Sequence, residues 1–164
     1  MGTFNSKIVA EFTPPKTWKI EEPLSFECTL INPEINLLNT IGASIEDTGK
    51  GTGKVSCEKG MITDLASTPR ILWNLIAPWD VARAAIIHDH LYATLRKYFS
   101  ENVDKNKNAR DKSLNKKIWS NARALSDKVF LLGMHSSDPK VPSWKIYPAY
   151  WAVRLFGRGP ASTG

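Results

Sequence analysis

The hydrophobic period changes once along the chain. Up to about residue 62 apolar residues come in short runs or alternate with polar ones. Beyond residue 79 they return every three or four positions. Ile8, Val9 and Phe12 give residues 4–12 a short extended pattern, closed by Pro14 and Pro15. Trp18 and Ile20 flank Lys19, and Leu24, Phe26 and Cys28 alternate with Ser25 and Glu27, so both segments read as half-buried strands. Asn32 and Pro33 mark a turn. Residues 37–45 are weakly apolar and fit neither period. Residues 48–54, with Gly49, Gly51 and Gly53, read as a flexible turn. They are not a phosphate loop, because no Gly-Lys-Ser/Thr ending opens a helix.

The second half reads as helices. Asp80 is placed to cap a helix over residues 81 to about 98, where Ala84, Ala85, Ile87, His88, Leu91 and Leu95 share a stripe with Tyr92. Residues 102–112 form a polar connection. A second helix is predicted over residues 114–132, with Ile118, Ala122, Leu125, Val129 and Leu132 on one stripe and Gly133 as its stop. A third covers residues 147–156 and ends at Gly157. The expected class is α+β: a small N-terminal antiparallel sheet, then a three-helix C-terminal half containing an antiparallel helix pair. Residues 1–158 are expected as one domain, strand-rich over 1–62 and helical over 79–157, with 159–164 a flexible tail.

Composition narrows the class. The 164 residues are 42% hydrophobic and 23% charged, which fits neither a disordered chain nor a membrane bundle. No apolar run approaches the roughly 20 residues of a membrane helix. Residues 1–15 show no apolar core of a signal peptide, so synthesis in the cytoplasm is expected, with the protein acting there or carried out by other means. Cys28 and Cys57 are too few for a disulfide framework or a cysteine-rich zinc site, and two reduced thiols or a single bridge between them both remain open. The net charge of +6 is concentrated in residues 102–128, where eight basic and three acidic residues leave +5. Trp119 is the one aromatic side chain there, so a nucleic-acid groove is not expected. A solvated face or a phosphate or lipid-headgroup contact fits better.

Two clusters could carry chemistry. In residues 63–70, Thr-Asp-Leu-Ala-Ser-Thr-Pro-Arg, Asp64 and Ser67 can cap backbone amides at the entry to a helix. Alternatively, Asp64, Ser67 and Arg70 form a loop that binds a cation or substrate. The second cluster is His88-Asp89-His90-Leu91-Tyr92. His88 and Tyr92 are four apart and share a helix face. A polar pair amid Ala-Ala-Ile-Ile is costly unless it has partners. It could brace two helices. It could also work, with Asp89 as a Ca²⁺ ligand and His88 as general base toward water. A carboxylate behind His88 would then fix its tautomer, and Asp127 on the second helix is best placed. Other chemistries fail on inventory. No histidine precedes His88, as a His-Asp phosphohydrolase requires. His88 and His90 are two apart and lack the His-Glu-x-x-His spacing. The serine-hydrolase elbow is missing.

Three blocks, residues 63–70, 85–92 and 150–157, resemble a phage and prophage family known as a domain of unknown function, and residues 18–26 are similar too. Residues 32–55 look like an insertion. The resemblance implies a bacteriophage or prophage origin and no particular activity. The cytoplasm of synthesis is then the host's, and a virion is one means of leaving it. A narrower resemblance joins Asp80, Ala84, Ala85, His88, Asp89 and Tyr92 to the His-Asp-x-x-Tyr helix of secreted and parvoviral phospholipase A2. It implies that His88 activates water, Asp89 binds Ca²⁺, and Tyr92 supports Asp127. Residues 152–157 are similar to a late helix of the bacterial branch. The chain departs from that family in having one glycine in residues 60–79 and no cysteines at Ala84, Ala85 and Leu91.

The leading expectation is a phage-encoded, Ca²⁺-dependent ester hydrolase of phospholipase type, with residues 105–117 meeting anionic lipid. The alternative is a non-enzymatic virion or tail-associated protein that binds other phage structural proteins, for which six tryptophans offer interface material. A third reading is an early cytoplasmic protein that interferes with the host. The sequence leaves the oligomeric state open.

Overall fold

The structure, a computed structural model, describes residues 2–14, 17–63 and 81–162. Seven strands build two antiparallel sheets. They are β1 (Gly2–Phe4), β2 (Ala10–Thr13), β3 (Thr17–Ile20), β4 (Leu24–Thr29), β5 (Ile45–Gly49), β6 (Thr52–Cys57) and β7 (Ile62–Thr63). One sheet has the order β1-β4-β6-β5, the other β2-β3-β7. The helices are α1 (Asn32–Thr40), α2 (Ala82–Phe99), α3 (Ala109–His135), α4 (Ser143–Phe156) and α5 (Arg158–Ser162). A π-helical turn at Ser100–Asp104 follows α2. This is the expected α+β class, with the sheets preceding α2, α3 and α4.

Alternation explains the sheet. Leu24, Phe26 and Cys28 of β4 are buried, while Ser25, Glu27 and Thr29 face outward. On β6, Gly53, Val55 and Cys57 are buried in the same way. The extended pattern expected over residues 4–12 divides between two sheets: β1 pairs with β4, and β2 pairs with β3. The expected flexible turn is largely a hairpin. Only Lys50 and Gly51 lie between β5 and β6, at φ 56° and 75°. Positive φ at both central positions gives a two-residue turn whose twist matches the strands.

The turn expected at Asn32-Pro33 instead opens α1. A proline in the first helical turn loses no hydrogen bond that the helix would make there. Glu34 reaches back to accept from the Ile31 amide at 3.1 Å. Ile35 and Leu38 are the buried contacts of a nine-residue helix, too few to set a clear period.

α2 runs through the middle of the core. It packs on α3 and α5 and on β4 and β6, and Ile86, Ile87, Leu91 and Leu95 are fully buried. Contacts between α2 and α3 run in opposite chain directions: Ala84 meets Gly133, His88 meets Asp127, and Tyr98 meets Asn115. The expected antiparallel pair is therefore present. The buried stripe of α3 is rotated from the expected one. Trp119, Ser126, Phe130 and Met134 lie inside with Ala122, Leu125 and Val129, while Ile118 and Leu132 are only partly covered. Gly133 does not stop α3, which continues to His135. A Cβ at Gly133 would stand 2.9 Å from that of Ala84, so the missing side chain sets how closely the two helices cross.

α4 starts four residues earlier than expected, leaving Pro148 inside the helix rather than at its start. The expected tail also needs correction as far as residue 162. α5 carries Ala161, which is fully buried, and its carbonyl accepts from Trp119 Nε1 at 3.2 Å. Cys28 and Cys57 are free buried thiols, both pushed up to about 11 by burial. Among the described residues, no helix is long and apolar enough to cross a membrane.

Candidate active site

The site grows from a polar intrusion into the α2–α3 seam. His88 lies on the inward face of α2, with the Tyr92 ring 4.1 Å and the Phe130 ring 4.7 Å from its own, centre to centre. Directly across, on α3, stands Asp127, which is wholly buried. One carboxylate oxygen, Oδ1, lies 3.0 Å from His88 Nε2 and accepts from the Tyr92 hydroxyl at 2.7 Å. The other, Oδ2, accepts from Arg154 Nη1 at 2.9 Å, and Arg123 Nη1 lies 3.7 Å away.

A buried carboxylate survives only if its charge is matched. Burial alone pushes the Asp127 carboxyl up. The hydrogen bonds from His88, Arg154 and Tyr92, together with the attraction of His88, outweigh it and hold the group below its ordinary 3.8. The same oxygen, after burial, helps push the Tyr92 phenol up, so tyrosine stays a donor. Arg154 is raised by its bond to Asp127. An ionised Asp127 accepts, so His88 Nε2 carries the proton and donates. In the neutral imidazole the lone pair is then on Nδ1, the ring nitrogen a proton acceptor needs. His88 keeps 8% of its side-chain surface exposed, and among the described residues Asp127 is its one hydrogen-bonding partner.

A family model described as a protein of unknown function, DUF1353, matches residues 43–153, about two thirds of the chain. The chain belongs to the DUF1353 family. No curated protein and no solved structure matches it. The matched region contains His88, Tyr92, Asp127 and Arg123, and Arg154 falls one residue past its end. It also begins inside residues 32–55, the stretch expected as an insertion. β6 of that stretch pairs with both β4 and β5, and so is integral to the sheet.

Asp89 of this DUF1353 chain points elsewhere than Asp127. It is half-buried, and Oδ2 accepts from Thr63 Oγ1 at 2.6 Å, tying α2 to β7. A calcium ion takes six to eight oxygens. Among the described residues, no three His, Cys, Asp or Glu side chains gather as a metal site. The described residues do not by themselves make a calcium centre. Asp64, Ser67 and Arg70, and the expected cap Asp80, lie outside the described residues. His90, two positions on from His88, faces a cleft of about 580 Å³ beside Thr94 and Asn102. Among the described residues its Nε2 has no hydrogen bond, and burial pushes its pKa down.

Sequence reasoning reached His88, Tyr92 and Asp127 and missed the two arginines. A signal existed for one of them. Asp127 sits in an apolar stripe and needs a cation, and Arg123 stands one helical turn before it. Arg154 lies 27 residues further on and had no local cue. Gly157 belongs to the same machinery. A Cβ there would strike the Tyr92 hydroxyl and the Val153 carbonyl, so glycine leaves Tyr92 room to reach Asp127.

Proposed function

We propose that this DUF1353 chain is a hydrolase that activates water with its His88–Asp127 pair and cleaves carboxylic esters of the phospholipid type. The observation that carries the reading is the threefold coordination of buried Asp127 by His88 Nε2, Tyr92 and Arg154, because it fixes the imidazole in the basic tautomer. The phospholipase-like helix spacing supports the choice of substrate.

In this reading His88 Nδ1 removes a proton from water as the water oxygen adds to the ester carbonyl. The bond from carbonyl carbon to alcohol oxygen then breaks, and the proton passes from His88 to the departing oxygen. Ester and water give acid and alcohol. Asp127 stays ionised throughout and offsets the charge that His88 gains. Tyr92 and Arg154 are positioning residues: they hold the carboxylate. The three sequence blocks support a bacteriophage or prophage origin, with synthesis in the host cytoplasm.

Fatty-acid release from phosphatidylglycerol–phosphatidylcholine vesicles, with added Ca²⁺ and with chelator, tests the proposal. Release is expected to fall by about 10²-fold or more in His88→Ala, and by less in Tyr92→Phe, with both variants folded. If wild type releases no more acid than His88→Ala in either condition, the hydrolase reading is wrong.

A further inference from the structure

α4 is apolar on both faces. Ile146, Ala149 and Val153 are spaced three and four apart, and all are buried against the body of the protein. Trp144, Tyr147, Trp151 and Leu155 follow the same spacing on the opposite side and stand 67%, 49%, 56% and 69% exposed. Phe156, the last residue of α4, is also 66% exposed. A helix that is hydrophobic all round is ordinarily buried all round. A contiguous aromatic and aliphatic face left in water marks a surface that something covers.

Charge says what kind of surface that is. Residues 139–162 carry Lys140, Lys145 and Arg158, besides the Arg154 that pairs with Asp127, and no Asp or Glu. Beside the last turn of α4 lies a cleft of about 330 Å³ lined by Lys116, Lys117, Arg123 and Arg158, with Ser113 and Ser120. The cleft adjoins α4 directly: Arg123 donates to the Arg154 carbonyl at 3.2 Å, and Arg158 follows Phe156 by two residues. Two copies meeting through this face would bring their cations together. Anionic headgroups would match them, and Trp and Tyr rings suit the boundary between headgroup and acyl chain.

We propose that the outer face of α4 and the cationic cleft at its end dock the protein on an anionic lipid surface, the rings entering the acyl boundary and the cleft taking a headgroup phosphate. The docking needs no turnover and stands apart from the hydrolase reading.

Co-sedimentation with vesicles of 3:1 phosphatidylcholine to phosphatidylglycerol, against pure phosphatidylcholine, provides the test. Wild type is expected to bind the anionic vesicles with a blue shift of tryptophan fluorescence, and to release them as salt rises. Trp144→Ser with Trp151→Ser should weaken binding by roughly tenfold or more at unchanged circular dichroism. Lys116→Glu with Lys117→Glu should weaken binding to anionic vesicles alone. His88→Ala should bind as wild type does. The proposal is overturned if wild type ignores anionic vesicles, or if the tryptophan variant binds equally well. It is also overturned if sedimentation velocity shows a dimer that the tryptophan changes dissolve while vesicles go unbound, which would give the face to a second copy. Vesicle binding without ester release would count against the hydrolase alone. Release from a soluble ester without vesicle binding would count against the docking alone.

Discussion

The α2–α3 seam and the outer face of α4 invert the ordinary partition in opposite directions. The seam places a carboxylate, an imidazole and a phenol in the core, with the partly exposed guanidinium groups of Arg123 and Arg154 at its edge. The outer face of α4 places two indoles, a phenol and the Leu155 side chain in water. Each arrangement is worse for folding than its apolar or polar substitute would be. They differ in how the cost is met. The Asp127 carboxylate is satisfied from within, since both of its oxygens have donors, although Arg123 Nε beside it has no hydrogen bond among the described residues. Among the described residues, nothing covers the α4 face. One is therefore a carboxylate held by donors from its own chain, and the other is the proposed docking face.

The contrast predicts that the two regions respond oppositely to mutation. The largest effect is expected for Asp127→Ala. It strands two arginines, His88 and Tyr92, and should lower stability by about 3–5 kcal/mol in urea unfolding. A loss under about 1 kcal/mol would mean that the seam is not held by this carboxylate. The acid limb sharpens the same point. The Asp127 carboxyl is held below its unfolded value near 3.8, so the folded state binds fewer protons. Its stabilisation is complete above that value and drains as the pH falls through the lower native one. Asp127→Asn should flatten that limb in a pH series of melting temperatures.

A middle-sized effect is expected at Gly157→Ala. The added methyl meets the Tyr92 hydroxyl and the Val153 carbonyl and should cost about 1–3 kcal/mol. Ester turnover should drop with it, and Tyr92→Phe should relieve part of the stability loss in a double-mutant cycle. The smallest effect belongs to the α4 face. Trp144→Ser and Trp151→Ser should each change stability by no more than about 0.5 kcal/mol. A loss several times larger in thermal melts would place those rings in the fold and erase the contrast.

Much of this was legible beforehand, and the misreadings have physical causes. β4 announced itself because alternation is a property of single residues in order. His88, Tyr92 and Asp127 were legible because two of them share a helix face and the third had to lie across an antiparallel pair. α1 was misread because nine residues carry too few apolar positions to outweigh a proline. Gly133 was read as a stop, yet it serves as a crossing point, since a glycine's purpose depends on what approaches it. The tail was read as frayed because nothing near Ala161 in sequence shows that Trp119 will cap its carbonyl.

Sequence alone determined the strand and helix periods, the antiparallel pair and the histidine–carboxylate pairing, because these follow from spacings of two to four residues and one reversal of the chain. Tertiary structure decided which face of α3 turned inward, brought Arg154 to Asp127, and left one side of α4 in water. Helix rotation and crossing are set by how whole surfaces pack, and no short stretch of residues holds that information.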